Sequence, residues 1–334
     1  MGLKTITYRT IDLTLNKPLI TIITVVRNAE KTVDRTIQSV LSQNYSNMEY
    51  IIQDGLSTDR TISIIEKSKN RLLFFSEKDS GIYDAMNRAW NKANGDYILF
   101  LNADDFFIGA DSLEKIVNAV SSGSYDYASA NAIVKKKNGE SWIWKNRTLT
   151  DFDFLCGNPS NHQSFLTSKS SLKSIGGFDI KYKYAADVKF MFELINRGFS
   201  GIKIDDCIVE YSFEGESSVN EKKGILELEE IMNIYSPELS LAEVGKLRRM
   251  LGDGSEKFNI SFIESVLVKK KFSDNQYRYF INELVRKIND LEELGSLSSR
   301  IQIHRYKQMK RILDKLGIGY LISFILGFVR RLKS

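Results

Sequence analysis

The chain has 334 residues, 43% hydrophobic and 27% charged with three prolines, which excludes a disordered protein and leaves room for one large domain and a smaller one. Two cysteines, Cys156 and Cys207, exclude a disulfide framework and fit a reducing compartment, and two distant histidines, His162 and His304, exclude a histidine-rich zinc site. The net charge of +5 is concentrated at one end: from Arg305 onward eight bases face the single acid Asp314, so the preceding residues are net acidic. An anionic partner is therefore expected for the tail rather than for the whole protein. Met1 to Lys17 is polar and lacks the apolar segment of a secretory signal, and Ile6 breaks the myristoylation pattern.

Taken in order, Pro18 introduces an apolar, β-branched run from Leu19 to Val26 that reads as a first strand. A turn at Arg27–Ala29 leads to a helix with Val33, Ile37, Val40 and Leu41 on one face. No glycine-rich dinucleotide fingerprint joins the two, and no P-loop occurs anywhere. Tyr50 to Gln53 reads as a second strand ending in Asp54-Gly55-Leu56-Ser57-Thr58-Asp59, with Ser57 or Thr58 as cap of the next helix. Asp54 stands where an acid often grips a ribose hydroxyl, although a turn aspartate bonding its own backbone fits equally. Leu72 to Phe75 is a third strand, followed by a helix from Ile82 with Ile82, Met86, Ala89 and Trp90 inward.

The run Tyr97 to Leu101 has the composition of a strand buried on both faces of a parallel sheet. It stops at Asn102-Ala103-Asp104-Asp105, a polar cluster suited either to a hard cation or to capping the next element. Three strand–helix units before residue 100 call for a parallel sheet with right-handed crossovers. Asp111 and Glu114 have capping-box spacing for a helix through Val120. Tyr125 to Val134 and Ser141 to Trp144 read as antiparallel strands. An irregular polar stretch, Cys156 to Gln163, has the makings of a binding loop, and His162 within it reads as a hydrogen-bonded structural group. Ala185-Ala186-Asp187 opens a helix with Val188, Met191, Phe192 and Ile195 on one face, and Ile202 to Tyr211 is a last strand. On position alone Asp187 reads as a helix cap.

After about residue 216 the texture turns helical, through Gly224–Tyr235, Leu241–Leu251, Ile260–Lys270 and the amphipathic Gln276–Leu294. Leu316 to Val329 is an apolar run short of the ~20 residues that span a bilayer and is flanked by bases. An interfacial helix held by anionic lipid is expected there, against the alternative of a terminal helix packing on the protein itself.

Four stretches taken together, Ile22–Asn28, Gln53–Asp59, Asp79–Asn87 and Phe100–Asp105, resemble glycosyltransferase family 2 in order and spacing over about residues 18 to 215. The run Gly81-Ile82-Tyr83-Asp84-Ala85-Met86-Asn87 is similar to bacterial enzymes that assemble capsular and O-antigen repeats. The resemblance implies an α/β GT-A fold, a Rossmann-like, mostly parallel sheet flanked by helices. It also implies inverting transfer of a hexosyl or N-acetylhexosaminyl group from a nucleotide sugar, usually UDP-linked, to a saccharide or polyprenyl-linked acceptor. By the same resemblance, Thr24, Val26 and Asp54 surround the base, and Asp79 places base and ribose. Asn102-Ala103-Asp104 occupies the family's Asp-x-Asp position, with Asp104 the ligand of Mg²⁺ or Mn²⁺, and Asp187 matches the general base. Asn102 departs from the usual first aspartate and so is expected on the ribose rather than the metal. Tyr211–Val219 matches the family only loosely.

The expected organisation is a GT-A domain over 18–215, a helical region over 216–309 and a basic membrane-associating helix over 310–334. The expected location is peripheral, on the cytoplasmic side of the inner membrane, with homo-oligomerisation left open. A GT-A-like module that binds without catalysis is the competing reading. A nucleotidyltransferase lacks its N-terminal glycine-rich loop here, and nucleic acid explains the basic tail less well than a membrane, because aromatics are not regularly interleaved with its bases.

Overall fold

A computed structural model describes residues 17–146, 148–150, 156–157, 160–213, 220–252, 255–256, 259, 262–263, 265–266 and 269. The expected amphipathic helix at 276–294 and the basic helix at 310–334 lie outside them, as does all of 214–219. The chain forms two compact units. Unit 1 takes in the described residues of 1–148, 161–180 and 198–215, and unit 2 those of 149–160, 181–197 and 216–334. Among the described residues no helix is long and apolar enough to cross a membrane.

Unit 1 is built on a sheet. Strand β1 (Ile20–Val26) is buried at all seven positions, which is why it reads as an uninterrupted apolar and threonine run. It pairs in parallel with β2 (Met48–Asp54) on one side and β4 (Tyr97–Phe100) on the other, and β3 (Leu73–Ser76) extends the sheet beyond β2. Helices α1 (Val33–Leu41), α2 (Thr61–Glu66) and α3 (Ile82–Lys92) make the crossovers. Spacing of three and four between Val33, Ile37 and Val40 gives α1 one apolar stripe, buried on the sheet with the side chains of β1 and β2.

Beyond β4 the sheet is mixed. Strand β5 (Phe106–Phe107) and helix α4 (Ser112–Ser121) precede β6 (Tyr127–Lys135) and β7 (Ser141–Trp144), an antiparallel hairpin as expected. Strand β8 (Phe165–Ser168) then slots antiparallel between β4 and β6, helix α5 (Lys169–Ile175) follows, and β9 (Gly201–Ser212) runs parallel to β6 with a bulge near Asn131. The order β3-β2-β1-β4-β8-β6-β9-β5 thus has a parallel half and a mixed half.

Unit 2 contains α6 (Ala186–Asn196), α7 (Glu221–Ile234) and α8 (Leu241–Leu247), the last continued by a π-turn over Arg248–Gly252. Phe192 of α6 meets the Tyr235 ring edge-on at 5.5 Å.

Three local expectations are corrected. Asp111 does not cap α4, because its carboxylate pairs with Lys115 at 3.1 Å instead. Neither Ser57 nor Thr58 caps α2: the Thr61 N–H is taken by Asp59 Oδ1 at 2.9 Å, and Ser57 is committed to Asp54. On α3 it is Tyr83, packed 5.5 Å from the Phe178 ring, that is buried, and Ile82 is only half-buried.

Candidate active site

The carboxyl ends of β3, β2, β1 and β4 lie along one edge of the parallel half. The order of strand addition reverses about β1, since β2 and β3 stack on one side and β4, parallel to them, is added on the other. The crevice at such a switch point is where open α/β sheets bind ligands. Val26 ends β1 there, and Asn102 follows β4.

On the β1–β2 side the loops are zipped together. Gly55 N–H donates to the Val26 carbonyl (2.9 Å), Asn28 N–H to Ser57 Oγ (2.8 Å), and Thr58 N–H to Asn28 Oδ1 (2.8 Å). Both Asn28 (φ 52°) and Leu56 (φ 59°) take left-handed backbone, which costs a non-glycine residue about 1–2 kcal/mol and is offset here by that network. Asp54 is fully buried and saturated with donors: Ser57 Oγ at Oδ1, and Ser76 Oγ (2.6 Å) with Ser57 N–H (3.1 Å) at Oδ2. Asp79 stands against the same loop, its Oδ1 accepting from Gly81 N–H at 3.0 Å. A Cβ on Gly55 would lie 2.5 Å from Asp79 Oδ2, so any larger residue there would displace the Asp79 carboxylate. Thr24 is buried within the strand pair, its hydroxyl 3.0 Å from that of Tyr50.

The β4 side is different. Leu101 N–H donates to the Ile23 carbonyl (2.9 Å), and Asp105 N–H to the Asn102 carbonyl (3.1 Å), which folds Asn102–Asp105 into a tight turn. Asp105 is 1% exposed and acts as a brace: its carbonyl accepts from Thr36 Oγ1 (2.8 Å) and its Oδ1 from Ser212 N–H (2.9 Å). Burial and then the neighbouring Asp104 push its carboxyl well above the ordinary range, with Ser212 and Gln163 opposing. Half-buried Asp104 is also raised by burial, with His162 opposing. Among the described residues no Lys or Arg pairs with either acid. Asn102 Nδ2 lies 3.3 Å from His162 Nε2, and its buried Oδ1 has no hydrogen-bond partner. Two adjacent carboxylates and an unanswered amide oxygen make a corner short of positive charge.

In unit 2, Asp187 is in the first turn of α6 and 9% exposed. The cap position belongs to Ala185, which offers no side-chain bond, so Asp187 is not the helix cap.

The sequence matches the family described as Glycosyl transferase family 2 over residues 21–178. An uncharacterized glycosyltransferase of Haemophilus influenzae is 31% identical over 220 residues, spanning 63% of this chain and 84% of the relative. This chain belongs to glycosyltransferase family 2. A second relative, the putative teichuronic acid biosynthesis glycosyltransferase TuaG of Bacillus subtilis, is 28% identical over 213 residues, 62% of this chain and 83% of its own. Among solved structures, S. aureus TarS 1-349 in complex with UDP-GlcNAc superposes with a TM-score of 0.55 at 18% identity over 80% of both chains. The mannosyltransferase PcManGT from Pyrobaculum calidifontis, in complex with GDP-Man and Mn²⁺, gives 0.53 at 15% identity over 83% of this chain and 88% of its own. At those identities the likeness concerns the fold, which is GT-A.

Within this family 2 fold, Val26, Asp54 and Asp79 are gathered on the zipped loops, and Asn102, Ala103 and Asp104 form the turn across the switch point. Thr24 lies one layer below, inside the strand pair. His162, expected as a hydrogen-bonded structural group, is hydrogen-bonded, but its partner Asn102 lies 60 positions away and has no local signature in the sequence.

Proposed function

We propose that this family 2 glycosyltransferase is an inverting enzyme that moves a hexosyl or N-acetylhexosaminyl group from a UDP-sugar to a hydroxyl of a saccharide or lipid-linked saccharide. The observation that carries the reading is the charge deficit at Asn102–Asp105 beside the switch point. Adjacent acids whose carboxyls are raised by burial, with no Lys or Arg partner among the described residues, fit a hard divalent cation that arrives with a diphosphate. No group of three or more such ligands occurs among the described residues. Asp104 is the residue to hold Mg²⁺ or Mn²⁺. When bound, such an ion neutralises the charge that develops on the diphosphate leaving group.

Every other role falls to the protein. The zipped loops with Val26, Asp54 and Asp79, above Thr24, shape the nucleotide subsite, and Asp54 serves it by holding Ser57 and Ser76 in place. Asn102 and Ala103 approach the ribose. Asp187 accepts the proton of the acceptor hydroxyl as that oxygen bonds to the anomeric carbon and the nucleoside diphosphate departs from the opposite side. An ordinary carboxylate suffices, because proton transfer lags behind bond formation. The domain spans 18–215, with the helical 216–309 and the basic 310–334 placing it peripherally at an anionic membrane where lipid-linked acceptors lie. The name of the TuaG relative supports a place in surface-polysaccharide assembly.

The test is UDP release from UDP-glucose, UDP-galactose and UDP-GlcNAc, each with and without Mn²⁺. Metal-dependent release is expected with at least one of them, reduced about 10²–10⁴-fold by Asp187→Asn in a protein that still folds. Release from none of them, or full activity in Asp187→Asn, overturns the reading in favour of a binding module or a different base.

A further inference from the structure

Asp187 carries the proposed base chemistry, and the cap position of its helix is an alanine. Ala185, at the cap position, has no side chain that can bond the backbone, and its φ of −135° and ψ of 20° are non-helical. The turn leading into the helix, 183–185, is held instead by a side chain of α7, which takes the Ala185 N–H of the helix start together with two backbone donors before it. Glu227 Oε1 accepts from Lys183 N–H at 2.9 Å, and Oε2 from Tyr184 N–H at 2.8 Å and Ala185 N–H at 3.1 Å. Three consecutive backbone donors thus converge on one carboxylate. Such an arrangement binds an anion through charge-assisted bonds and holds the turn in a single conformation.

The grip continues along the same face of α7. Glu230, three residues on, accepts from Tyr182 O–H at 3.2 Å and pairs with Lys181, so two carboxylates hold all of 181–185. Glu229 points elsewhere, to Arg248 at 3.0 Å. The segment is therefore fixed by side chains that lie more than 40 residues further along the chain.

We propose that Glu227 is a positioning residue for Asp187: it clamps the turn at 183–185 from which the base is projected. The proposal rests on the reading of Asp187 as the base. The physical reason to expect an effect on rate is geometric. A base must stand within hydrogen-bond reach of the proton it takes, and a displacement of ~1 Å can cost ~10²-fold in turnover. Both carboxylate oxygens are used, so Glu227→Gln keeps only one acceptor for three donors and Glu227→Ala keeps none.

Amide hydrogen–deuterium exchange on the full chain gives the first readout, and it needs no substrate. Peptides covering 183–187 are expected to exchange about 10-fold faster or more in Glu227→Ala, by loss of the protecting bonds, with a smaller change in Glu227→Gln. Unchanged exchange there overturns the proposal. Should Glu227→Ala fail to fold, Glu227→Gln keeps the side-chain volume and carries the comparison.

The second readout is UDP release in the Mn²⁺ assay, with the single variants and the double variant Asp187→Asn/Glu227→Ala. Glu227→Ala is expected to lower kcat about 10–100-fold with the KM for the UDP-sugar nearly unchanged. In the Asp187→Asn background it should add little, because residues acting as one unit are not additive. An equal loss in both backgrounds would show that Glu227 acts on the protein at large and would overturn the proposal. Full activity in Asp187→Asn alone removes the base assignment instead, and the exchange result still reports whether Glu227 holds the turn.

Discussion

Asp54 and Asp105 are both buried carboxylates at the carboxyl ends of strands flanking β1, and their surroundings are opposite. Asp54 closes β2 with its two oxygens engaged by Ser57 and Ser76. Asp105 follows β4 with Ser212 N–H on one oxygen and Asp104 next to it, and its carboxyl is raised well above the ordinary range by burial and by that neighbour. Donor supply, not burial, separates them. Where donors are plentiful the acid is scaffolding, and where they are scarce the sheet edge keeps a demand for positive charge that a metal–diphosphate could meet.

The largest effect that follows from this contrast is at Asp104. Asp104→Asn removes an acid that has no Lys or Arg partner among the described residues, and Mn²⁺-dependent UDP release is expected to fall about 10²–10³-fold, the scale of losing one electrostatic contact to a developing charge. Titration of Mn²⁺ in the presence of UDP, followed by electron paramagnetic resonance, should show the free-ion signal persisting. Thermal stability of the metal-free protein should hold or rise, since a costly buried charge is gone. A variant that binds Mn²⁺ like the wild type would place the metal elsewhere.

Stability should split the two buried acids. Asp54→Asn leaves donor facing donor at Ser57 and weakens charge-assisted bonds, at about 1–3 kcal/mol. Asp105→Asn retains the oxygen that accepts from Ser212 while removing a charge that the folded state disfavours, so it should be neutral or stabilising near pH 7 without metal. Urea unfolding in EDTA measures both. Equal destabilisation would mean that Asp105 is charged and compensated by a partner, contrary to the contrast drawn above.

Much of this edge was legible in the sequence because strands buried on both faces leave long apolar runs. Ile20–Val26 and Tyr97–Phe100 stand out for that reason, and α1 and α6 by their apolar faces. The abrupt stop at Asn102 marks the strand end directly. What could not be read is made by distant partners. Strand β8 is four residues long and exists because β4 and β6 each offer it a free edge, and β5, two residues long, exists because β9 pairs with it. Ser57 resembles a helix cap until Asp54 competes for it, and Asp111 until Lys115 does. His162 and Glu227 belong to the same class, since what they touch lies 60 and more than 40 positions away respectively.

The smallest effect tests the donor rule in unit 2, where a carboxylate has both donors and water. Glu243 closes a capping box with Ser240, accepting from its N–H and hydroxyl at 2.9 Å each, and Lys269 lies 2.7 Å from its other oxygen. Lys269 foremost, then Ser240, pulls its carboxyl down to about 2. A depressed folded pKa means that the contribution is complete above the unfolded value of ~4.3 and disappears as pH falls through about 2. Because Lys269 is nearly half exposed, the charge term should stay well under ~1 kcal/mol and weaken in high salt. Glu243→Gln keeps an acceptor for Ser240 and loses only the charge. Thermal unfolding of the two proteins should therefore show a small gap at pH 7 that narrows between pH 4 and pH 2. A gap that stays constant over that range would mean the side chain acts through shape alone, and that its charge contributes nothing to the fold.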